Sequence, residues 1–286
     1  MGSITSLMMP KTYELKNGEY KPNSIQKMLW KRFVQFTAEI KTKREGRILV
    51  VASAGESIEG IHHQSTEVIS QIISDQIMVA TDVWDYFLQE VGFDAEEGDK
   101  LYFLAPTDAH AGTRSAYEEV LANDLDATPF VSPKKGGGGG LFTHPSLSFT
   151  KYGVRFLIQH HAPVSSGTRV HTKGNALRCY LRSLISEYKE RNMPIPDYFI
   201  FGHYHQYIEE RVILNKDLGE WGDKKVEVIG ILAPCWQAPT TYIFRIGKIN
   251  TPSTIGGIYI EVNQDGTHKH YVPFVNLDFR PSDVKI

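Results

Sequence analysis

Two histidines separated by one residue follow an apolar run in the stretch FIFGHYHQY, where His203 and His205 come after Gly202. Alternate residues of an extended segment point to the same side, so both imidazoles can face one site. A glycine directly before them lets the backbone come close to a neighbouring segment. Neutral imidazole suits Mn, Fe, Zn and Ni, and the pattern therefore predicts a metal site at the end of a buried strand.

Polar side chains also follow three other predicted strands. Glu56 ends RILVVASAGE, Thr107 and His110 lie in FLAPTDAH, and His160 and His161 end FLIQHHAP. In open α/β sheets, ligands bind in the crevice outside the carboxyl ends of the strands. Strands that each deliver imidazole, hydroxyl or carboxylate to that edge favour one shared metal centre.

Other histidines receive different interpretations. His268 and His270 in GTHKHY have the same spacing but lie beside a turn late in the chain, and are interpreted as non-functional residues, either solvated or in the core, with His268 on the surface. His62 and His63 follow the predicted metal segment at the start of a predicted helix. With His160 they are assigned to substrate contacts; the alternative for the pair is a polar first helical turn.

The composition is that of an ordinary globular protein. The 286 residues are 41% hydrophobic and 22% charged, with a net charge of −2, so no global charge favours nucleic acid or a membrane surface. No apolar run approaches the roughly 20 residues of a membrane span, and no signal peptide is recognisable, which predicts a cytoplasmic protein. Cys179 and Cys235 are too few for a disulfide framework and are predicted to be reduced and structural.

The order of the predicted elements indicates an α/β fold. Residues 1–22 are polar and are predicted to be an irregular N-terminal segment, followed by a single domain over residues 23–286. A helix is predicted after Asn23 or Ser24, and another over residues 62–92, with a helix broken once as the alternative. Helix–strand alternation followed by a run of strands predicts a four-layer αββα sandwich of two mixed β-sheets flanked by helices.

At these motifs the chain resembles the calcineurin-like metallophosphoesterases over roughly residues 46–245. That family carries Asp-x-His, Gly-Asp, Gly-Asn-His, a lone His and Gly-His-x-His, each after a strand. GHYH matches the last element fully, and GESIEG places Glu56 where the metal-bridging aspartate would be. HHAP matches the lone histidine, where the His-x-Pro context favours His161.

The third element is similar to a divergent branch that carries Gly-Thr-x-x-His. In PTDAHAG, Thr107 then takes the place of the metal-binding asparagine, and His110 is the candidate catalytic histidine. The resemblance implies up to two divalent ions (Mn, Fe, Zn or Ni), with a single ion as the alternative. The metal ligands that it implies are Glu56, Thr107, His161, His203 and His205.

The first family element, Asp-x-His, does not occur before Glu56. MGSITSLMMPK instead resembles the loop that follows that element. Residues 1–10 are therefore expected at the mouth of the site, and the first metal position is expected to keep only Glu56 and His205.

These features predict a metal-dependent phosphoesterase that hydrolyses phosphodiesters or phosphomonoesters, with a nucleotide or nucleic-acid substrate favoured. Cationic residues in the predicted loops could contact phosphate: Arg114, Lys134, Lys135, Arg169, His171 and Lys173. The alternative, favoured by the absent Asp-x-His, is a non-catalytic binding or assembly protein on the same fold. A redox or lyase metalloenzyme is a third and weaker reading, supported only by the histidine content. The sequence does not indicate the oligomeric state.

Overall fold

A computed structural model describes residues 1–61, 66–130, 140–162, 174–214, 226–240 and 253–277. The α-helices of these residues are α1 Ser24–Arg44, α2 Ile73–Glu90, α3 Asp108–Ala111, α4 Ala116–Asp124 and α5 Asn175–Glu190. The first seven strands are β1 Tyr13–Leu15, β2 Gly18–Tyr20, β3 Val50–Ser53, β4 Lys100–Leu104, β5 Thr143–His144, β6 Leu147–Lys151 and β7 Val154–Gln159. The other seven are β8 Tyr198–Phe201, β9 Ile208–Leu214, β10 Val226–Leu232, β11 Ser253–Gly256, β12 Tyr259–Val262, β13 His268–Tyr271 and β14 Phe274–Leu277.

The start of α1 is set by a reciprocal cap at Asn23, one of the two cap residues that the sequence predicted. The Asn23 side chain accepts a hydrogen bond from the Gln26 backbone N–H at 3.0 Å, and the Gln26 side chain accepts one from the Asn23 N–H at 3.1 Å. This capping box satisfies two backbone donors that the first helical turn leaves unpaired. The apolar stripe of α1, which includes Leu29 and Phe33, is buried.

The helix predicted over residues 62–92 is wrong in its first part. Residues 66–72 are not helical, and α2 begins only at Ile73; residues 62–65 lie outside the described part. The Ser70 hydroxyl accepts a hydrogen bond from the Ile72 N–H at 3.0 Å and donates to the Asp75 carboxylate at 2.6 Å. Serine thereby offers the backbone a local alternative to helix, which is why the helix starts after it.

The segment interpreted as irregular at the start of the chain contains a short hairpin. Strands β1 and β2 pair antiparallel, with Tyr13 opposite Tyr20 and Leu15 opposite Gly18. The two-residue loop is Lys16–Asn17, and Gly18, which opens β2 opposite Leu15, has a φ of 122° that glycine adopts without strain. The turn was predicted from the sequence, but the two strands beside it were not.

Two larger sheets carry the structure. Strands β3, β4 and β5 form a three-stranded parallel sheet. A five-stranded mixed sheet has the order β6-β7-β8-β10-β9, in which β7, β8 and β10 are parallel and the two edge strands are antiparallel. Among the described residues β3 pairs only with β4, and a cavity of about 730 Å³ lies beside its other edge.

The layers follow from which faces are buried together. One apolar cluster joins α1, α2 and α4 to the three-stranded sheet through Val51, Leu101 and Phe103. A second lies between the two sheets, and a third joins α5 to the far face of the five-stranded sheet through Phe199 and Phe201. The order is therefore helices, sheet, sheet and helix, which confirms the predicted αββα sandwich. The smaller sheet differs from the prediction because it is parallel rather than mixed.

No helix in the described part of the chain is both long enough and apolar enough to cross a membrane.

Candidate metal centre

Four loops that follow parallel strands meet at one place. Glu56 follows β3, Thr107 follows β4, His160 follows β7, and His203 and His205 follow β8. Because β3 is parallel to β4, and β7 is parallel to β8, the carboxyl ends of each pair lie on the same edge of their sheet. The sequence predicted that these strand ends would meet, but with His161 rather than His160 among the metal ligands.

The Glu56 carboxylate is the centre of the cluster and is only 10% exposed. Its Oε1 atom accepts a hydrogen bond from the Thr107 hydroxyl at 2.9 Å, and lies 3.0 Å from His160 Nε2 and 3.4 Å from His203 Nδ1. A substantially buried carboxylate is costly unless it is paired, and these contacts supply the pairing. The Thr107 contact shows why a hydroxyl can stand at this position.

Two further imidazoles stand at slightly longer distance from the same carboxylate. His110 Nε2 lies 3.8 Å from Glu56 Oε1, and His205 Nε2 lies 3.9 Å from Glu56 Oε2. The other ring nitrogen of His110, Nδ1, lies 2.9 Å from the Glu59 carbonyl oxygen and donates to it, since a carbonyl can only accept. That hydrogen bond turns His110 Nε2 towards the carboxylate.

The orientation of His160 is the arrangement expected of a metal ligand. Its Nδ1 lies 2.6 Å from the Ala54 carbonyl oxygen, so Nδ1 carries the proton and Nε2 faces Glu56. An ionised carboxylate only accepts hydrogen bonds, so Nε2 must either carry a second proton or share a cation with Glu56. A backbone carbonyl that holds the rear nitrogen of a histidine commonly orients metal-binding imidazoles.

The histidines of GHYH do not lie on an extended segment, contrary to the sequence-based argument. Strand β8 ends at Phe201, and a hydrogen bond of 2.9 Å from the Tyr204 N–H to the Gly202 carbonyl closes a tight turn. His203 and His205 have φ angles of 70° and 55°, and Glu56 has 62°. Left-handed backbone at residues other than glycine costs about 1–3 kcal/mol and collects at functional sites.

Gly202 allows the loops to approach, as predicted. A Cβ atom at this position would lie 2.9 Å from the Ala54 carbonyl oxygen and 3.3 Å from the His160 carbonyl oxygen. Both neighbours are backbone atoms of loops that carry the cluster. A larger residue would therefore push His203 away from Glu56.

The charges of the cluster are coupled. Burial raises the pKa of Glu56, but hydrogen bonds from His160, His203 and His205 outweigh it and hold the pKa well below its usual value. Burial likewise lowers the pKa of His160, whereas the hydrogen bond and charge of Glu56 raise it, and the net shift is upward. For His205, burial is outweighed by Cys235 and Glu56, and its pKa is well above the usual value.

His161 has a different environment. Its side chain is exposed, and its ring centroid lies 4.7 Å from that of His203. Partial burial lowers the pKa of His161, and the neighbouring His203 and His160 lower it further. His161 is therefore neutral near pH 7 and lies next to the cluster, beside His203.

The remaining predicted residues are placed as follows. His62 and His63 lie outside the described residues, as do the loop cations of segments 131–139 and 163–173. Arg114 is exposed, and its backbone N–H donates a hydrogen bond to the Asp108 carboxylate at 3.2 Å. His268 is exposed on β13, at a sheet away from the cluster.

The first residues of the chain lie against the site, as predicted for residues 1–10. The amino group of Met1 donates a hydrogen bond to the Ser57 carbonyl, and the Met1 carbonyl accepts one from the Glu59 N–H at 2.7 Å. The Leu7 N–H donates to the Trp236 carbonyl at 2.9 Å. The N-terminal segment thus runs from the Glu56 loop to the loop after β10.

Sequence reasoning missed two residues at this site. Glu118 on α4 is fully buried, and each of its carboxylate oxygens lies 3.2 Å from the Ser57 backbone nitrogen. Burial raises the pKa of Glu118 to about 7. Cys235, after β10, contacts His205. Neither residue stands in a motif; the sequence signal for Glu118 is limited to a carboxylate on the apolar side of a helix.

The donor set fits a divalent metal ion. Glu56, His160 and His203 each offer one ligand atom, and these atoms all lie within 4.8 Å of one another. Ligand atoms bound to one ion at about 2.0–2.2 Å stand roughly 3–3.5 Å apart, so a small contraction would bring all three onto an ion. Imidazole and carboxylate together suit Zn, Mn, Fe or Ni.

The comparisons with known proteins add little to this geometry. No protein-family model matches the chain, and no curated protein matches it. Among solved structures, the chain is similar to wild-type Vps29 complexed with zinc from Entamoeba histolytica. The identity is 11% and the TM-score 0.31, over 79% of this chain and 98% of that chain. A likeness at this level carries no weight for function.

Proposed function

We propose that this protein binds a divalent metal ion through Glu56, His160 and His203 and hydrolyses a phosphate ester. The observation that carries the proposal is the convergence of these three ligand atoms within 4.8 Å at the ends of β3, β7 and β8. The ordered motifs, which end in GHYH, support a metallophosphoesterase rather than another class of metalloprotein. The sequence motif assigned His161 to the metal. In the structure its ring lies beside that of His203, and it is not one of the three proposed ligands.

A metal ion bound here would supply a Lewis acid that polarises the phosphoryl oxygen and lowers the pKa of water. Glu56 holds the negative charge that retains such a cation, and its low pKa keeps it ionised down to acidic pH. Thr107 fixes one carboxylate oxygen by its hydrogen bond of 2.9 Å. The Ala54 carbonyl keeps the proton of His160 on Nδ1, which leaves Nε2 for the cation.

His110 is the proposed general acid. The Glu59 carbonyl holds its Nδ1 at 2.9 Å, so Nε2 faces the cluster, 3.8 Å from Glu56 Oε1. From this position a proton on Nε2 can pass to the oxygen of the leaving group. Such proton transfer typically contributes about 10²–10⁴ to the rate. A nucleotide or nucleic-acid fragment is the proposed substrate class, and phosphodiester and phosphomonoester remain alternatives for the test.

The test is metal content together with turnover. Elemental analysis should find metal in the purified protein, and metal-loaded protein should cleave bis(p-nitrophenyl) phosphate slowly but above the rate without protein. His203→Ala should remove both the metal and the turnover, because it removes a ligand. His268→Ala is the matched control, since this histidine is exposed on β13. Turnover that survives His203→Ala would place the chemistry elsewhere.

A second candidate is a non-catalytic binding protein that holds one ion. It is favoured by the composition of the cluster, in which several imidazoles share the single carboxylate of Glu56. A clamp on both the attacking and the leaving oxygen requires two ions, each with its own ligands. One ion per chain with no cleavage of bis(p-nitrophenyl) phosphate or of the monoester p-nitrophenyl phosphate would favour this candidate.

A further inference from the structure

Residues 56–60 form one short loop that serves both parts of the proposed mechanism. Glu56 opens the loop with a left-handed φ of 62° and provides the carboxylate of the metal cluster. Later in the same loop, the Glu59 carbonyl accepts the hydrogen bond from His110 Nδ1 at 2.9 Å. The backbone of this loop therefore determines where both the metal ligand and the general acid lie.

The end of the loop packs directly against the backbone of His110. Gly60 has a φ of 74°, and a Cβ atom at this position would lie 2.1 Å from the His110 carbonyl oxygen. Glycine adopts this conformation without strain and has no Cβ to prevent the contact. A shift of the loop at Gly60 therefore moves His110 through its backbone as well as through its imidazole.

Gln76 on α2 holds this end of the loop, and its side chain is fully buried. Its Oε1 accepts a hydrogen bond from the Gly60 N–H at 2.9 Å, and its Nε2 donates to the Gly60 carbonyl at 3.3 Å. Nε2 also donates to the Ser70 carbonyl at 2.9 Å. The orientation of the amide is fixed, because a backbone N–H can only donate and a carbonyl can only accept. Gln76 thus holds Gly60 by both its donor and its acceptor.

Glu118 on α4 holds the beginning of the loop, and its side chain is also fully buried. The Ser57 N–H donates to the Glu118 carboxylate, with both oxygens 3.2 Å from the nitrogen. Ser57 directly follows Glu56, so this contact fixes the peptide group next to the metal ligand. Left-handed backbone at a residue other than glycine persists only where the surrounding structure enforces it. Glu118 supplies part of that enforcement.

We propose that Glu118 and Gln76 are positioning residues for the proposed reaction. Glu118 holds the metal ligand in place through Ser57, and Gln76 holds the general acid in place through Gly60. The inference rests on the proposed function, because it assigns both residues to that reaction. The two roles are separable, since the residues act at opposite ends of the loop. Loss of Glu118 should affect metal binding, whereas loss of Gln76 should affect proton transfer.

The role of Glu118 is tested by the affinity for Zn²⁺, measured by competition with a chromophoric chelator. Glu118→Leu should lower this affinity by about 10–100-fold, the size of effect expected when a residue that supports a ligand is lost. Glu118→Gln should restore most of it, because the amide keeps an acceptor for the Ser57 N–H. Leu121→Ala is the control for general destabilisation, since it opens a cavity on the same helix, and it should leave the affinity unchanged.

The role of Gln76 is tested on the imidazole of His110. Long-range ¹H–¹⁵N NMR correlations should show neutral His110 as the Nδ1–H tautomer in the wild-type protein, because the Glu59 carbonyl accepts that proton. Gln76→Leu should abolish this preference and leave the Zn²⁺ affinity unchanged. Turnover of bis(p-nitrophenyl) phosphate should fall by about tenfold or more. In a His110→Ala background, Gln76→Leu should cause no further loss, because the group that it positions is gone.

Shorter polar side chains provide a second pair of variants if either leucine variant does not fold. Glu118→Asp and Gln76→Asn keep the polar group but shorten its reach by one methylene, and should shift the affinity and the tautomer, respectively, in the same direction.

Two results would overturn the inference. One is a Glu118 variant, leucine or aspartate, that binds Zn²⁺ as tightly as Leu121→Ala. The other is a Gln76 variant in which His110 keeps the Nδ1–H tautomer. If the wild-type protein shows no turnover but the affinity and the tautomer shift as expected, the proposed function fails and the positioning of the two groups stands. If turnover is present and the shifts are absent, only this inference fails.

Discussion

His160 Nε2 lies 3.0 Å from Glu56 Oε1, whereas the adjacent His161 has an exposed side chain with its ring 4.7 Å from the ring of His203. Consecutive residues after a strand point in different directions, so only one of the two can face the carboxylate directly. Here the buried residue is the one that does so. The backbone contact from Ala54 to His160 keeps it in that orientation.

The first prediction concerns these two histidines. His160→Ala should lower the affinity for Zn²⁺ or Mn²⁺ by at least about 100-fold, because it removes a proposed ligand. His161→Ala should lower it by less than about tenfold, because its side chain is exposed and lies beside His203 rather than among the proposed ligands. Competition with a chromophoric chelator measures both values. If His161→Ala lowered the metal affinity more than His160→Ala, His161 would be the ligand, as the sequence motif implied.

The second prediction concerns the close approach at Gly202. Gly202→Ala should lower the metal affinity by about 10–100-fold, because the added Cβ meets the backbone oxygens of Ala54 and His160 and displaces the His203 loop. The matched control is Gly230→Ala in β10, where a Cβ would lie 2.4 Å from the end of the Leu181 side chain on α5, an element that carries none of the ligands.

The control should lower the free energy of unfolding by about 1–3 kcal/mol through overpacking, with the metal affinity unchanged. Denaturant unfolding and metal titration of both variants separate the two effects. Equal losses of metal affinity in the two variants would show that general destabilisation, and not loop geometry, is responsible.

The third prediction concerns the buried carboxyl of Glu118. Its pKa in the folded protein is raised to about 7, above the usual 4.5, because burial disfavours the charged form. The unfolded chain then releases this proton at lower pH than the folded chain, so stability falls as pH rises from about 4.5 to about 7 and stays lower above it. Glu118→Gln removes the ionisation and keeps an acceptor for the Ser57 N–H.

Glu118→Gln should therefore raise the free energy of unfolding at about pH 8 by roughly 1–3 kcal/mol and leave it nearly unchanged at about pH 4.5. Glu187→Gln on α5 is the control, because this carboxylate is 48% exposed and should change stability by less than about 0.5 kcal/mol. Chemical denaturation at the two pH values checks the difference. A gain of equal size at both pH values would mean that ionisation of Glu118 is not its cause.

The fourth prediction concerns the pH dependence of metal binding. The pKa values of His160 and His205 in the metal-free protein are raised, so a metal ion must displace a proton from its ligand His160, and its positive charge disfavours the proton on nearby His205. Metal affinity should accordingly rise with pH, by up to about tenfold per pH unit for each proton released. Titrations at about pH 6, 7 and 8 would measure the slope, and an affinity independent of pH would contradict it.

The same two histidines make the stability of the metal-free protein fall as pH rises, whereas its metal affinity rises. A raised folded-state pKa stabilises the fold below the unfolded value of about 6.5, and this contribution is lost as pH rises through the folded-state pKa. The thermal stability of the metal-free protein should thus decrease from about pH 6.5 upward, while the gain on adding metal increases. Paired melting curves with metal and with chelator test this directly.

The sequence by itself determined the elements and the loops that carry the site. Asn23 and Gln26 specify the start of α1 through a local hydrogen-bonded cap, which needs no tertiary contact. The order of helices and strands specified the αββα layers, because each apolar face has to be buried against another element. The carboxyl ends of parallel strands share an edge, so Glu56, Thr107 and His203 were expected to meet.

Only the tertiary structure decided how the side chains are oriented at that edge of the sheets. Strand periodicity ends with the strand, and the left-handed backbone at His203 and His205 points their rings in directions that alternation does not predict. The choice between His160 and His161 depends on a carbonyl from Ala54, 106 residues away in the chain. Cys235 reaches His205 with the help of β11, and Glu118 reaches the Glu56 loop from α4. Such contacts between distant segments arise only when the layers pack.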